Sequence, residues 1–406
     1  MHVVLFAPSW PLSGNPNGIV TYVHWMRIEL RRQGHKVSVL TGRSDVKEEG
    51  IREVRSSLRQ RTRRWIDKRR GAADLDVFAW GDVLAEDILR LHRQTPIDVL
   101  EMEESFGWAG DVRRRTALPV VVKLHGPAFL SLVEEELDSD FGRLKIEREG
   151  AALREARCIT SPSRGTLEET ILRYDLRPVI ARHVVNPLSL PLTAPIWSLD
   201  TCRRDTILFV GRFDKSKGGD RVLLAFKRLL DDKPNLKLIF VGPDNGLPGL
   251  AGGTVRFDEF AQGVFSKSER SRISYLGSQP QSAILKLRCT AAVTVVASRW
   301  ESQGYTALEA MLQGCPLVSA DTSGLSESIQ HEVTGLLFDG DDIDDMAAKI
   351  AHILTNPDLG ARLGRAARQY VMTAHDPAIV VEQTLAVYEA ARTDLLHHSR
   401  NGFRCG

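Results

Sequence analysis

The chain is poor in cysteine. It has five in 406 residues, Cys158, Cys202, Cys289, Cys315 and Cys405, with no C-x-x-C pair. That excludes a disulfide framework and a cysteine-built zinc site, and reads as a reduced, intracellular protein. No uninterrupted apolar run approaches the ~20 residues of a membrane span. The apolar stretch Val3 to Ala7 is too short for a secretory leader and lacks its basic flank. An excess of one charge sign is also missing. Lys plus Arg is 54 against 52 Asp plus Glu, a net charge of +2, which argues against a dedicated nucleic-acid binder. What is present is ordinary for a soluble globular protein: 43% hydrophobic and 26% charged residues. At roughly 100–200 residues per domain, the length predicts two domains or one large one.

The pattern is α/β. Val3 to Ala7 reads as a strand buried on both faces. A loop rich in Pro, Ser, Asn and Gly follows. Then Ile19, Val23, Met26 and Leu30 recur at helical spacing up to Gly34. Further strands are predicted at Val99 to Met102, Val120 to Leu124, Cys158 to Ser161 and Ala181 to Val185. A stretch with Pro187, Pro191 and Pro195 reads as a linker. A second β-loop-α series begins at Thr206, with strands at Ile207 to Val210, Leu236 to Val241, Ala292 to Ala297 and Pro316 to Ala320. Strands alternating with helices imply two doubly wound parallel sheets facing a central cleft. The division expected is residues 1–187, a linker at 188–205, a second domain at 206–380, and a helix with a frayed tail at 381–406. A return of that helix to the first domain is left open.

The segment from Ser298 to Pro316 carries the most chemistry. A strand delivers a polar loop, Gly304 permits close backbone approach, and a helix starts near Tyr305 and stops at Gly314. Free amides and a positive dipole end make that start favourable for phosphate. Glu301 precedes it and Glu309 lies a turn or so inside. Two carboxylates suit a ligand bearing hydroxyls as well as phosphate. On spacing alone, a dipole partner and an exposed loop acid read equally well.

Glu301 and Glu309 with seven residues between, then Ala310-Met311 and Gly314-Cys315-Pro316, resemble the E-x7-E signature of retaining GT4 glycosyltransferases with the GT-B fold. Val210-Gly211-Arg212 with Lys217-Gly218 resembles that family's "VGR…KG" element. The resemblance implies that Glu309 holds ribose hydroxyls, Glu301 contacts the donor sugar, and Gly304, Tyr305 and Thr306 lie near the diphosphate. Arg212 and Lys217 would neutralise the departing diphosphate without a metal, and fixed cations are what such a leaving group requires. Gln303-Gly304 stands where the family usually has Phe-Gly. Gly18, after Asn17, matches the second glycine of the family's amino-terminal loop. His125, at a strand end before Gly126-Pro127, matches a histidine near the donor sugar and acceptor. Glu327, in Gly324-Leu325-Ser326-Glu327, reads as structural or as supporting the site residues from behind. The resemblance covers nearly the whole chain.

Other signals are weaker. Asp138-Ser139-Asp140 is a D-x-D, but it follows Glu134-Glu135-Glu136 in an acidic surface stretch, so no metal site is expected. Arg52 to Arg70 holds nine Lys or Arg against two acids, with Leu58, Trp65 and Ile66 interleaved. It reads as a solvated face, an anionic-membrane contact or a capture site for an anionic acceptor. Aromatics there are too sparse for nucleic acid. The reading is a metal-independent, cofactor-free retaining hexosyltransferase with a nucleotide-diphosphate sugar donor and an acceptor alcohol. A cytoplasmic location follows, with peripheral membrane contact left open. The rival readings are a GT-B nucleotide-sugar epimerase and a non-catalytic sugar-nucleotide-binding protein.

Overall fold

The structure, a computed structural model, describes residues 1–12, 17–54, 77–249 and 253–402, with side chains through 396. The chain divides into two compact units. The first is Met1–Pro187 together with Pro377–Gly406, and the second is Leu188–Asp376.

Among the described residues, the first unit is built on seven strands: β1 (His2–Ala7), β2 (Lys36–Thr41), β3 (Ile51–Glu53), β4 (Val99–Glu103), β5 (Val120–Lys123), β6 (Cys158–Ser161) and β7 (Ile180–His183). Their order is β3-β2-β1-β4-β5-β6-β7 and every pairing is parallel. β1 is central, with Val3 opposite both Val37 and Val99, which explains its unbroken apolar run. Helix α1 (Gly18–Arg32) starts at Asn17, whose side chain accepts the Ile19 N–H at 2.8 Å, and buries Val20, Val23, Met26 and Leu30. Gly34, at φ +84°, ends it.

The last helix belongs to this unit. It runs Pro377–Gly402, so the expected boundary at 380/381 falls inside it. The break comes where Pro377 opens the helix, a position proline suits. Two ion pairs hold it: Arg157 forks onto Asp394 at 2.6 Å, and Arg392 reaches Asp98 at 3.1 Å.

The second unit repeats the construction with β8 (Arg203–Val210), β9 (Lys237–Val241), β12 (Ile273–Tyr275), β13 (Ala291–Val296), β14 (Leu317–Ala320) and β15 (Leu336–Phe338). A small hairpin, β10 (Leu247–Pro248) and β11 (Thr254–Val255), lies apart from the sheet. The sheet order is β12-β9-β8-β13-β14-β15, all parallel. β8 begins at Arg203, inside the segment expected to be linker, because its first residues are exposed and charged. Helix α2 (Gly219–Asp232) covers the sheet with Val222, Phe226 and Leu229, at helical spacing. Phe209, Phe213, Phe240 and Phe257 fill the core beneath it. Strand order reverses between β8 and β13. In an open α/β sheet, the carboxyl ends at such a reversal are where ligands bind.

Candidate active site

Both motif segments emerge at that reversal. After β8, the Gly211 N–H donates to Val241 at 2.8 Å, and a Cβ on Gly242, at φ +144°, would lie 1.9 Å from the Gly211 carbonyl. The loop then folds around Asp214. Arg212 Nε donates to Asp214 Oδ2 at 2.5 Å, and the Lys217 backbone N–H donates to Asp214 Oδ1 at 2.9 Å. One largely buried carboxylate thus places both cations, while Phe213 anchors the loop in the core. Lys217 Nζ reaches Glu301 Oε1 at 2.5 Å, and Ser298 Oγ donates to the same oxygen at 2.8 Å. Arg299 ties the two loops together from behind. Its N–H donates to Ser216 at 2.9 Å and its guanidinium forks onto Asp220 at 3.1 and 2.8 Å.

Helix α3 (Tyr305–Gln313) begins at Gly304, φ +76°, with no capping side chain and no acid in its first turn. Its first turn therefore carries no acid of its own at the positive end of the dipole. The carbonyl of Glu301 accepts the Gly324 N–H at 3.1 Å, and a Cβ on Gly324 would lie 1.8 Å from the Ser302 carbonyl. The E-x7-E loop is thereby clamped from its far side. Thr306 is half-buried at the helix start. Glu309, one turn after Tyr305, does not join the Lys217–Glu301 pair. Its Oε2 instead accepts from Arg288 Nη2 at 2.6 Å. Burial and the Glu309 carboxylate hold the Tyr305 phenol well above its usual range.

His125 and Gly18 lie in the first unit. His125 follows β5, and its N–H donates to both Glu104 oxygens at 2.9 and 3.1 Å, with Gly126 N–H donating to Glu104 Oε1 at 2.6 Å. Glu149 holds the next turn by accepting from Ala128 N–H at 2.8 Å and Phe106 N–H at 3.2 Å. The imidazole packs edge-on against Tyr22, with ring centres 5.1 Å apart. Burial, reinforced by the Lys123 charge, pushes its pKa down to about 3, so the ring is neutral. Burial also pushes the Lys123 ammonium down to about 8, against the pull of Glu101. Desolvation raises Glu103 to about 8, helped by the Glu104 charge, and Glu149 to about 7. Gly18 is the exposed first residue of α1.

The D-x-D is accounted for by helix ends. Ser139 caps the helix Asp140–Glu155 through the Gly142 N–H at 3.0 Å, while Asp140 is fully exposed and pairs with Arg143. Of the basic run, Arg52 forks onto Asp87 at 2.6 and 3.0 Å, and residues 55–70 lie outside the described residues. Among the described residues no helix is long and apolar enough to cross a membrane. The roles of Asp214, Ser298, Arg288, Glu104 and Tyr22 were not legible in the sequence. Asp214, two residues from Arg212 in the "VGR…KG" loop, had the only usable signal.

Solved structures share this architecture. Sucrose-phosphate synthase from Thermosynechococcus elongatus matches with a TM-score of 0.75 at 19% identity, covering 96% of this chain and 98% of that one. Anabaena HepE, solved in complex with UDP-glucose, matches at 0.71 and 15%, covering 96% and 100%. The fold is that of the GT-B glycosyltransferases. In sequence, the model for "Glycosyl transferases group 1" matches residues 202–370 and that for "Glycosyl transferase 4-like domain" matches residues 17–188. The chain belongs to this family of GT4-type glycosyltransferases. Among its relatives, the D-inositol 3-phosphate glycosyltransferase of Kribbella flavida is 28% identical over 290 residues, 69% of this chain and 67% of that protein. The enzyme of that name from Mycolicibacterium smegmatis is 24% identical over 409 residues, 95% of this chain and 88% of that protein.

Proposed function

We propose that this glycosyltransferase is retaining and metal-independent, and moves a hexose from a nucleoside diphosphate sugar to an acceptor hydroxyl. The observation that carries the reading is the Lys217–Glu301 bond at the sheet reversal. It sets a cation and a carboxylate within 2.5 Å of each other near a helix start without a first-turn acid. An arriving diphosphate competes for Lys217 and Arg212, at the positive end of helix α3. Glu301, released from Lys217, accepts hydrogen bonds from sugar hydroxyls, and Glu309 accepts them from the ribose. His125 is neutral, so it orients hydroxyls by hydrogen bonding and does not act as an acid. Gly18, the exposed first residue of α1, keeps the donor-binding role that the family resemblance gives it. In the reaction the acceptor oxygen bonds to the anomeric carbon from the face the diphosphate leaves. The anomeric C–O bond breaks, and the acceptor proton passes to the departing phosphate oxygen.

The names of the relatives make inositol phosphate the first acceptor to try, and HepE makes UDP-glucose the first donor. A cytoplasmic location accords with the four free cysteines among the described residues. Membrane contact through Arg52–Arg70 is testable by sedimentation with anionic vesicles. The test of function is a thermal-shift screen of nucleotide sugars, followed by product analysis with and without acceptor. Glu301→Ala and Lys217→Ala should each abolish most transfer, and the product should keep the donor's anomeric configuration. Unchanged turnover in both variants would refute the site. Donor isomerisation without acceptor would mark an epimerase, and binding without turnover a non-catalytic protein.

A further inference from the structure

A buried cation bonded to the E-x7-E helix belongs to neither motif. Arg288 lies on helix Gln281–Thr290 with its side chain only 1% exposed, and its partner Glu309 is 20% exposed. Its Nη2 donates to Glu309 Oε2 at 2.6 Å, while its Nε and Nη1 have no hydrogen-bond partner among the described residues. Among the described residues Glu309 is therefore the one carboxylate paired with this buried guanidinium, which ties the carboxylate to one place. A second tie one turn further on fixes the register of the two helices: Gln313 Nε2 donates to the Leu285 carbonyl at 2.9 Å. Glu309 Oε1 has no partner among the described residues and belongs to the more exposed side of the pair.

We infer that Arg288 is a positioning residue. It holds Glu309 by one oxygen and leaves the other preorganised to accept hydrogen bonds from a vicinal diol, which is the ribose if the nucleoside diphosphate reading above holds. Arg288 is too buried to touch a ligand itself and acts only through Glu309. The ordering of the glutamate side chain is completed in folding, so the ligand does not bear it on binding. A pair kept for stability alone would gain little over well-packed apolar side chains, which replace buried ion pairs at little or no cost. Arg288→Met removes the fully buried charge and leaves Glu309, which is 20% exposed and reached by water, so the variant is expected to fold with a lowered melting temperature.

The experiment is calorimetric titration of wild type, Arg288→Met and Arg288→Lys. The probes are UDP, GDP and ADP, each beside its 2′,3′-dideoxy analogue, with melting curves as the fold control. Wild type should prefer the ribonucleotide. In Arg288→Met that preference should fall about tenfold, the size of one hydrogen bond to a charged group. Affinity for the dideoxy analogue should stay within about twofold of wild type, because the diphosphate contacts are untouched. Arg288→Lys, which keeps the charge, should restore part of the preference. If Arg288→Met does not fold, a smaller drop of the same ratio in Arg288→Lys carries the test. An unchanged ratio in a folded variant overturns the inference. Wild type that binds these nucleotides without distinguishing dideoxy analogues overturns the ribose role of Glu309 together with the inference. Wild type that binds none of them overturns the donor reading itself.

Discussion

Gly218→Ala perturbs the site without removing a charged group. Gly218 has φ +69°, and a Cβ built there would lie 1.9 Å from the Ala297 carbonyl oxygen and 2.8 Å from its carbon. The left-handed backbone costs an alanine about 1–2 kcal/mol. The contact adds to it, because a backbone carbonyl at the end of β13 cannot swing aside as a side-chain tip can. Relief to the 3.0 Å floor of real Cβ contacts needs about 1 Å of movement between the loop after β8 and the end of β13. Those are the segments that carry Lys217 and Glu301. A total of roughly 2–4 kcal/mol lowers the melting temperature of a unit this size by roughly 5–15 °C. A 1 Å misplacement costs transfer up to about 100-fold. Gly263→Ala is the control, since nothing lies within 4 Å of a Cβ in that helical position. It should leave transfer unchanged and stabilise by up to about 1 kcal/mol. Differential scanning fluorimetry and transfer rates read both variants. A Gly218→Ala protein that melts and transfers like wild type would refute the reasoning.

Glu104→Gln swaps a carboxylate that accepts from the His125 and Gly126 N–H groups for an amide that turns a donor toward one of them. It should cost about 1–3 kcal/mol in melting experiments and lower transfer, with Glu104→Asp restoring less than wild type. The pH dependence of stability has a definite sign. Glu149 and Glu103 are held near 7 and 8, above their unfolded value, so their protonated forms stabilise the fold below about 4.5, and that stability is lost as pH rises through 7 and 8. His125 acts oppositely and only below 6.5, where the unfolded chain takes a proton the native ring refuses. The melting temperature should therefore fall between pH 6.5 and 8, and Glu149→Gln should flatten the fall; above 8 the depressed Lys123 acts the other way, because the unfolded chain keeps a proton the native amine gives up. An equal slope in wild type and variant would contradict the assignment.

Much of the fold was legible because both sheets are parallel and their central strands are buried on both faces. Val3 to Ala7 reads as a continuous apolar run for that reason, and Cys158 to Ser161 and Ala292 to Ala297 are buried throughout although each includes a threonine. The three-residue edge strands β3, β12 and β15 are too short to show a period. Helix Pro377–Gly402 buries Val380, Val381, Thr384 and Tyr388 against the first unit and adds ion pairs 237 and 294 residues apart in sequence; the local pattern shows its apolar face but not where that face docks. In the candidate site, the motifs point to Arg212, Lys217, Glu301 and Glu309, since glycine placement and helix caps are local. Their partners were hidden. Glu104 follows a strand in which an acid looks like a surface residue, yet it turns inward because the His125 loop offers two amides. Arg288 sits in a helix whose sequence gives no cue to its depth.

The central claim is that the second unit grips a nucleoside diphosphate through Arg212 and Lys217. It is tested most directly by titrating wild type, Arg212→Ala and Lys217→Ala with UDP, GDP and ADP and with the matching monophosphates. The account predicts that wild type favours a diphosphate, and that each variant loses about 10- to 100-fold for it while binding the monophosphate nearly as before. Variants that bind the diphosphate as tightly as wild type would contradict it.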